Sequence, residues 1–227
     1  MLQKNHKNFR LKEFLKVFEQ QDGLKKSVDK IYEIIVYSLF YTILKHLDVE
    51  VKLNINNFDS ELINDFKEFN KIVLGISEES ESTIIKANVY RVGVTNAADK
   101  GLDMWSNFGP VIQVKHLSLT EELSEEIADS ISADQIVIVC KEAEQRMIES
   151  LLTQIGWRSK IQGIVTEKDL INWYDLCFTK YSDNLGIDLL KNIRREYQEE
   201  FPFTVEIDEF LKERGYSKEQ LTGLWSL

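Results

Sequence analysis

A three-layer α/β fold, with a mixed central sheet between helices, is predicted by three features of this 227-residue chain. The segment Gln135-Ile-Val-Ile-Val-Cys140 is apolar without alternation, as expected of a strand covered on both faces. Alternating strand patterns precede it and helical spacings lie on either side, giving the order β-β-α-β-α-β through the middle of the chain. The chain is also 43% hydrophobic, with only 10 Gly and 2 Pro and no repeat or low-complexity run, so it can bury a sizeable core and has no evident linker. Residues 1–227 are therefore expected to form one domain: a helical and mixed part (1–88), a core (89–166) and a helical C-terminal part (167–227).

Phe9, Leu11, Phe14, Leu15, Val17 and Phe18 recur at helical spacing over 9–20. Residues 26–47 continue as a second, more buried helix through Ile31, Ile34, Ile35 and Phe40, with Gly23 between the two. Residues 49–55 alternate like a strand, 61–69 look helical, and 71–76 fit either state. Alternation over 89–94 stops at the polar stretch Thr95-Asn-Ala-Ala-Asp-Lys100, and short strands at 102–105 and 110–117 follow as a hairpin. Ser118 or Thr120 caps a helix through Leu123, Ile127 and Ile131, with Glu121 and Glu122 at the positive end of its dipole. Beyond the buried strand at 135–140 come a helix at 142–155 stopped by Gly156 and a strand at 161–165. Thr166-Glu-Lys-Asp169 reads as a capping box opening a helix through Leu170, Trp173, Tyr174 and Leu176, and helices at 184–200 and 206–214 form a C-terminal addition.

Cys140 and Cys177 are too few and too embedded in apolar patterns for a disulfide framework or a metal cluster, so both are expected as buried thiols in a reducing compartment. The N-terminus lacks a small-residue cleavage site and no apolar run approaches the roughly 18 residues of a membrane span, so a cytoplasmic protein without membrane association is expected. A net charge of −10 argues against a surface that grips a polyanion everywhere. The charge is uneven, however: residues 1–52 hold ten Lys/Arg against seven Asp/Glu, leaving the acid concentrated in the rest.

Asp103, Gln113 and Lys115 stand in the spacing D-x9-Q-x-K. On the expected hairpin, Asp103 ends the first strand, while Gln113 and Lys115, two apart on the second, point to one face. Those residue types suit metal-assisted phosphodiester hydrolysis, in which a hard cation such as Mg²⁺ takes oxygen ligands, polarises the phosphate and activates a water. Asp103 is the leading metal ligand, with the Gln113 amide oxygen and the Val114 backbone carbonyl beside it. Lys115 would orient the water or steady the developing negative charge. An ordinary amphipathic hairpin with an exposed lysine is the structural alternative. His116 faces away from Lys115 and reads as a core or surface histidine.

This arrangement resembles the PD-(D/E)XK nuclease superfamily, from whose pattern the chain departs by lacking the proline and carrying Gln for the second acid, as in a Q-x-K variant. The longer phrase from Val92 to Leu117, with Gly101-Leu-Asp-Met-Trp-Ser-Asn-Phe-Gly-Pro110 at its centre, resembles the catalytic segment of the HaeII-type restriction endonucleases. The likeness continues through Ile136-Val-Ile-Val-Cys140, Ile155-Gly-Trp157 and Gly163-Ile-Val165. It implies a restriction-endonuclease-like core and a type II enzyme that cuts double-stranded DNA with Mg²⁺, with Asp103, Gln113 and Lys115 as catalytic positions. Glu33, which interrupts the apolar stretch Ile31-Tyr-Glu-Ile-Ile-Val36, would supply the missing carboxylate from the first core helix, or else belongs to a solvated helix face.

Lys191, Arg194 and Arg195, at i, i+3 and i+4 of a predicted helix, are candidate phosphate contacts, with pairing to Glu196, Glu199 and Glu200 as the alternative. Arg158 and Lys160 in the turn after Gly156 are comparable, and Asn96 either reads a base edge or forms a turn. Palindromic cutting implies a homodimer whose two-fold axis matches that of the target. Two other readings remain: a modification-dependent or repair nuclease of the same fold, and a non-catalytic DNA-binding protein on a degenerate nuclease fold, favoured by Gln113 and the acidic balance.

Overall fold

The computed structural model describes residues 9–20, 28–56, 59–76, 82–92, 102–143 and 160–201. The Gly23 break, the loop at 95–100, most of the expected helix at 142–155 and the helix at 206–214 lie outside them. In chain order the elements are α1 (Leu11–Gln20), α2 (Val28–Leu47), β1 (Glu50–Asn54), α3 (Ser60–Asp65), α4 (Lys67–Phe69) running into a π-turn (Asn70–Leu74), and β2 (Ser82–Lys86). Then follow β3 (Val89–Arg91), β4 (Met104–Ser106), β5 (Val111–Lys115), α5 (Glu121–Ser130), β6 (Ile136–Cys140), β7 (Ile161–Thr166), α6 (Glu167–Thr179), a second π-turn (Ser182–Gly186) and α7 (Ile187–Glu200).

The central sheet runs β3-β4-β5-β6-β7; its first three strands are antiparallel, and β5, β6 and β7 are parallel. Strand periodicity sorts its side chains onto two faces. Val89, Met104, Ile112, Val114 and Val139 meet α1, α2, α6 and α7 in the larger core, while Val111, Ile136, Ile138, Cys140 and Ile161 meet α5 in the smaller one. β6 thus has apolar neighbours on both faces, which accounts for its unalternating sequence. Helix α2 is apolar almost all round and is correspondingly buried through Ile31, Tyr32, Ile34, Ile35 and Val36. Asp29 stands in its first turn and Lys45 and His46 in its last, each the sign that the helix dipole favours.

The caps form as the sequence predicts. The Thr120 side chain accepts the Leu123 N–H, and Thr166 and Asp169 bond each other's backbone N–H reciprocally. Four details differ from expectation. Asp103 does not end the first hairpin strand but stands one residue before β4, where its carbonyl accepts the Val92 N–H at 2.8 Å. Glu142 does not begin a helix: its carbonyl accepts the Leu119 N–H at 2.7 Å and Ala143 bridges Leu119, extending the sheet instead. Residues 82–86 form a strand paired antiparallel with β1 in a separate two-stranded sheet. The C-terminal helix starts at Ile187 rather than 184, because Ser182–Gly186 winds as a π-turn.

Candidate active site

The D-x9-Q spacing has a geometric origin in the hairpin. Met104 pairs with Ile112 and Trp105 with Val111, so extending the register by one residue sets Asp103 opposite Gln113. Asp103 Oδ2 accepts the Gln113 Nε2–H at 2.6 Å and the Val114 N–H at 2.7 Å. Both donors converge on one oxygen, which aims the carboxylate across the mouth of the hairpin. N–H and C=O of one strand residue point to the same side of the strand, so the Val114 carbonyl faces that side too. Gln113 is 3% exposed, whereas Lys115, two residues on and on the same face, lies at the margin of the sheet.

Glu33 reaches the same place from the opposite layer. It is 5% exposed, and its two oxygens each accept from Lys30 Nζ at 2.8 Å, with Arg91 Nη1 at 3.9 Å. Arg91 also pairs with Glu200 at 2.7 Å and Glu196 at 3.5 Å, tying α7 to the site. Burial lifts the Glu33 carboxyl above its ordinary range; Lys30 pulls it back, nearby Asp103 pushes it further up, and Arg91 opposes the rise. Burial likewise lifts Asp103, against the Val114 N–H and the ammonium groups of Lys115 and Lys30, with Asp29 adding to the rise. The two acids therefore sense each other inside a partly desolvated pocket, with Lys115, Lys30 and Arg91 around them.

Of the candidates read from the sequence, Asp103, Gln113 and Val114 are joined by hydrogen bonds, and Lys115 and Glu33 lie within electrostatic reach of Asp103. Sequence reasoning misses Lys30, Arg91 and Asp29. Arg91 had a readable signal, a charge at the inward-facing position two residues after buried Val89. Lys30 had another, its placement three residues before a glutamate in an apolar helix. At the rim, His116 Nδ1 contacts the Asp29 carboxylate and Tyr32 bonds Glu167. Tyr90 and Trp105 stack at 4.3 Å on the sheet face that carries Gln113 and Lys115.

The remaining candidates lie on other elements. Lys160 Nζ donates to the Ala128 carbonyl at 3.2 Å, within the last turn of α5. On α7, Lys191 pairs with Asp188 at 3.1 Å, Arg195 pairs with Glu196 at 2.9 Å and lies over the Tyr41 ring, and Arg194 is exposed. Asn96 and Arg158 fall outside the described residues.

Among the described residues no group of three or more His, Cys, Asp or Glu side chains is placed to hold a metal ion. The donors at the site are two carboxylates with neutral oxygens from Gln113 and Val114. That set suits a hard cation that retains waters and shares the rest of its shell with a phosphate. The residues fit such an ion: the buried Glu33 and half-buried Asp103 carboxylates repel one another there, and a cation between them would relieve the repulsion.

A mixed five-stranded sheet between helical layers is a restriction-endonuclease-like fold. The family described as HaeII restriction endonuclease matches residues 1–216, and the chain belongs to that family. It is 51% identical over 214 residues to the type II restriction enzyme HaeII of Haemophilus aegyptius, an alignment covering 93% of this chain and 61% of that protein. With the type II restriction enzyme NgoBI of Neisseria gonorrhoeae it shares 50% identity over 212 residues, covering 92% and 60%. The chain thus spans about three fifths of the length of these relatives. No solved structure matches it.

Proposed function

We propose that this chain is a single nuclease domain of a type II restriction endonuclease, hydrolysing phosphodiester bonds of double-stranded DNA at a specific sequence with Mg²⁺. The observation that carries the proposal is the convergence of Asp103, Glu33 and Lys115 at the mouth of the β4–β5 hairpin, in a member of a restriction-enzyme family. Asp103 and Glu33 would hold the ion, with the Val114 carbonyl beside them. The bound ion would polarise the scissile phosphate and lower the pKa of an attacking water. Asp103 is oriented for this by the Gln113 amide and the Val114 N–H. Rotation of the Gln113 amide would present its oxygen in place of its nitrogen. Lys115 supplies a positive charge beside the carboxylate, where it steadies negative charge developing on the phosphate and holds the water. Lys160, Lys191, Arg194 and Arg195, with Asn96 and Arg158, are the proposed DNA contacts.

Cutting both strands of a palindrome calls for two such sites related by a two-fold axis, hence a homodimer. Among the described residues no helix is long and apolar enough to cross a membrane; a cytoplasmic location is part of the proposal. The test is plasmid cleavage by the purified chain with Mg²⁺ or Mn²⁺: discrete fragments are expected, and Lys115→Ala should abolish them while DNA binding persists. Cleavage by the Lys115→Ala protein would refute the assignment of the site. One observation favours a non-catalytic DNA-binding protein instead, the Gln113 amide bound to Asp103 where a second acid would stand. An intact plasmid with either metal, together with retained DNA binding, would select that reading.

A further inference from the structure

We infer that Lys30 is a built-in counter-ion that competes with the divalent cation for Glu33, so that metal binding requires its ammonium to withdraw. This rests on the reading of Asp103 and Glu33 as metal ligands. Lys30 Nζ stands 2.8 Å from both Glu33 oxygens, so it fills the fork that a cation bound to both would occupy and repels a cation approaching either one. The Lys30 side chain is 31% exposed and can swing into solvent, whereas Glu33, 7% exposed at the side chain, stays in place. Its charge also reaches Asp103, so a single ammonium neutralises part of the charge on both proposed ligands. Arg91 serves a different end: it is held by Glu196 and Glu200 as well, is 11% exposed at the side chain, and stays 3.9 Å from Glu33. Removing Lys30 therefore leaves Glu33 with a neighbouring positive charge, and the fold should survive the change.

The arrangement predicts weak metal binding in the absence of DNA. A phosphate entering the site offers the displaced ammonium a new anionic partner, so binding of metal and of DNA would support one another. In Lys30→Met the competitor is gone, and Mn²⁺ affinity without DNA should rise on the order of tenfold, the equivalent of one pKa unit of charge interaction. Lys30→Arg keeps the charge and should bind near the wild-type level. Lys86→Met removes an ion pair with Glu50 across the two-stranded sheet and serves as a control expected to leave Mn²⁺ affinity unchanged.

The experiment is Mn²⁺ titration calorimetry on the DNA-free chain, with circular dichroism to establish that each variant is folded. Tighter binding by Lys30→Met alone, lost again when combined with Glu33→Gln, supports the inference. Equal or weaker binding by Lys30→Met, while Asp103→Asn still abolishes binding, overturns it and leaves the two-carboxylate site standing. Wild-type Mn²⁺ binding that survives both Asp103→Asn and Glu33→Gln would place the metal elsewhere and overturn the site reading itself, and with it the role of Lys30.

Discussion

Replacing Gln113 by Glu restores the acid of the D-x-K pattern, yet the geometry makes this a destabilising change in the metal-free protein. The Gln113 amide donates to Asp103 Oδ2 at 2.6 Å from a position 3% exposed. Gln113→Glu substitutes a second acceptor for that donor and sets two carboxylates against each other. At roughly 3 Å and an effective dielectric of about 20, two unit charges repel by about 5 kcal/mol. Taking up a proton limits the damage: holding a carboxyl with an ordinary pKa of about 4.3 protonated at pH 8 costs about 5 kcal/mol. With some relaxation, a loss of about 3–5 kcal/mol at pH 8 is expected, or about 6–20 °C in Tm for a chain of this size.

The sign of the pH dependence follows from linkage. The folded pair would bind its proton more tightly than the unfolded chain, so the variant gains on the wild type as pH falls and loses as pH rises toward the folded pKa. At pH 5 the deficit should shrink to about 1 kcal/mol, since the protonated carboxyl can then donate to Asp103 as the amide does. Thermal melts in EDTA at pH 5 and pH 8 measure both quantities. A variant that melts within a degree of wild type at pH 8, or one whose deficit is the same at both values, would refute the reasoning.

Arg91→Met should destabilise the fold by about 3–5 kcal/mol in a denaturant titration, because it leaves Glu33, Glu196 and Glu200 facing one another without their shared cation. In Gly186→Ala the new methyl would lie 2.8 Å from the Cys177 carbonyl and 3.2 Å from the Phe178 ring, so a loss of about 1–3 kcal/mol is expected in the same assay. Burial pushes the thiol of Cys140 up to about 12 and that of Cys177 up to about 11, so a disulfide reagent at pH 8 should label neither in the native protein and both after denaturation. Rapid native labelling of either would contradict its placement in the core.

Much of the fold was legible because its signals are local. The non-alternating strand β6, the capping box at Thr166, the cap at Thr120 and the periodicity of α2 each express a requirement met within a few residues. The strand at 82–86 was not legible, since it pairs with β1 across an intervening helical segment and keeps exposed apolar residues such as Ile84 that give no clean alternation. The two π-turns were missed for a related reason: their backbone winding has no distinct residue signature. Asp103 was found but set at the wrong end of its strand, because the stretch from Leu102 reads as extended whether or not it pairs.

By itself the sequence determined which residues had to be buried, where helices could begin, and that an acid, an amide and a lysine would share a hairpin. Those outcomes follow from side-chain period, capping chemistry and the fixed register of a short turn. Only the tertiary structure decided what surrounds that acid. Glu33 comes from a helix laid across the sheet, bringing with it the Lys30 of the same helix, and Arg91 is held between Glu33 of α2 and Glu196 and Glu200 of α7, two helices far apart in the chain. Burial and charge set the chemistry of such groups, and both arise from elements that meet only when the layers pack.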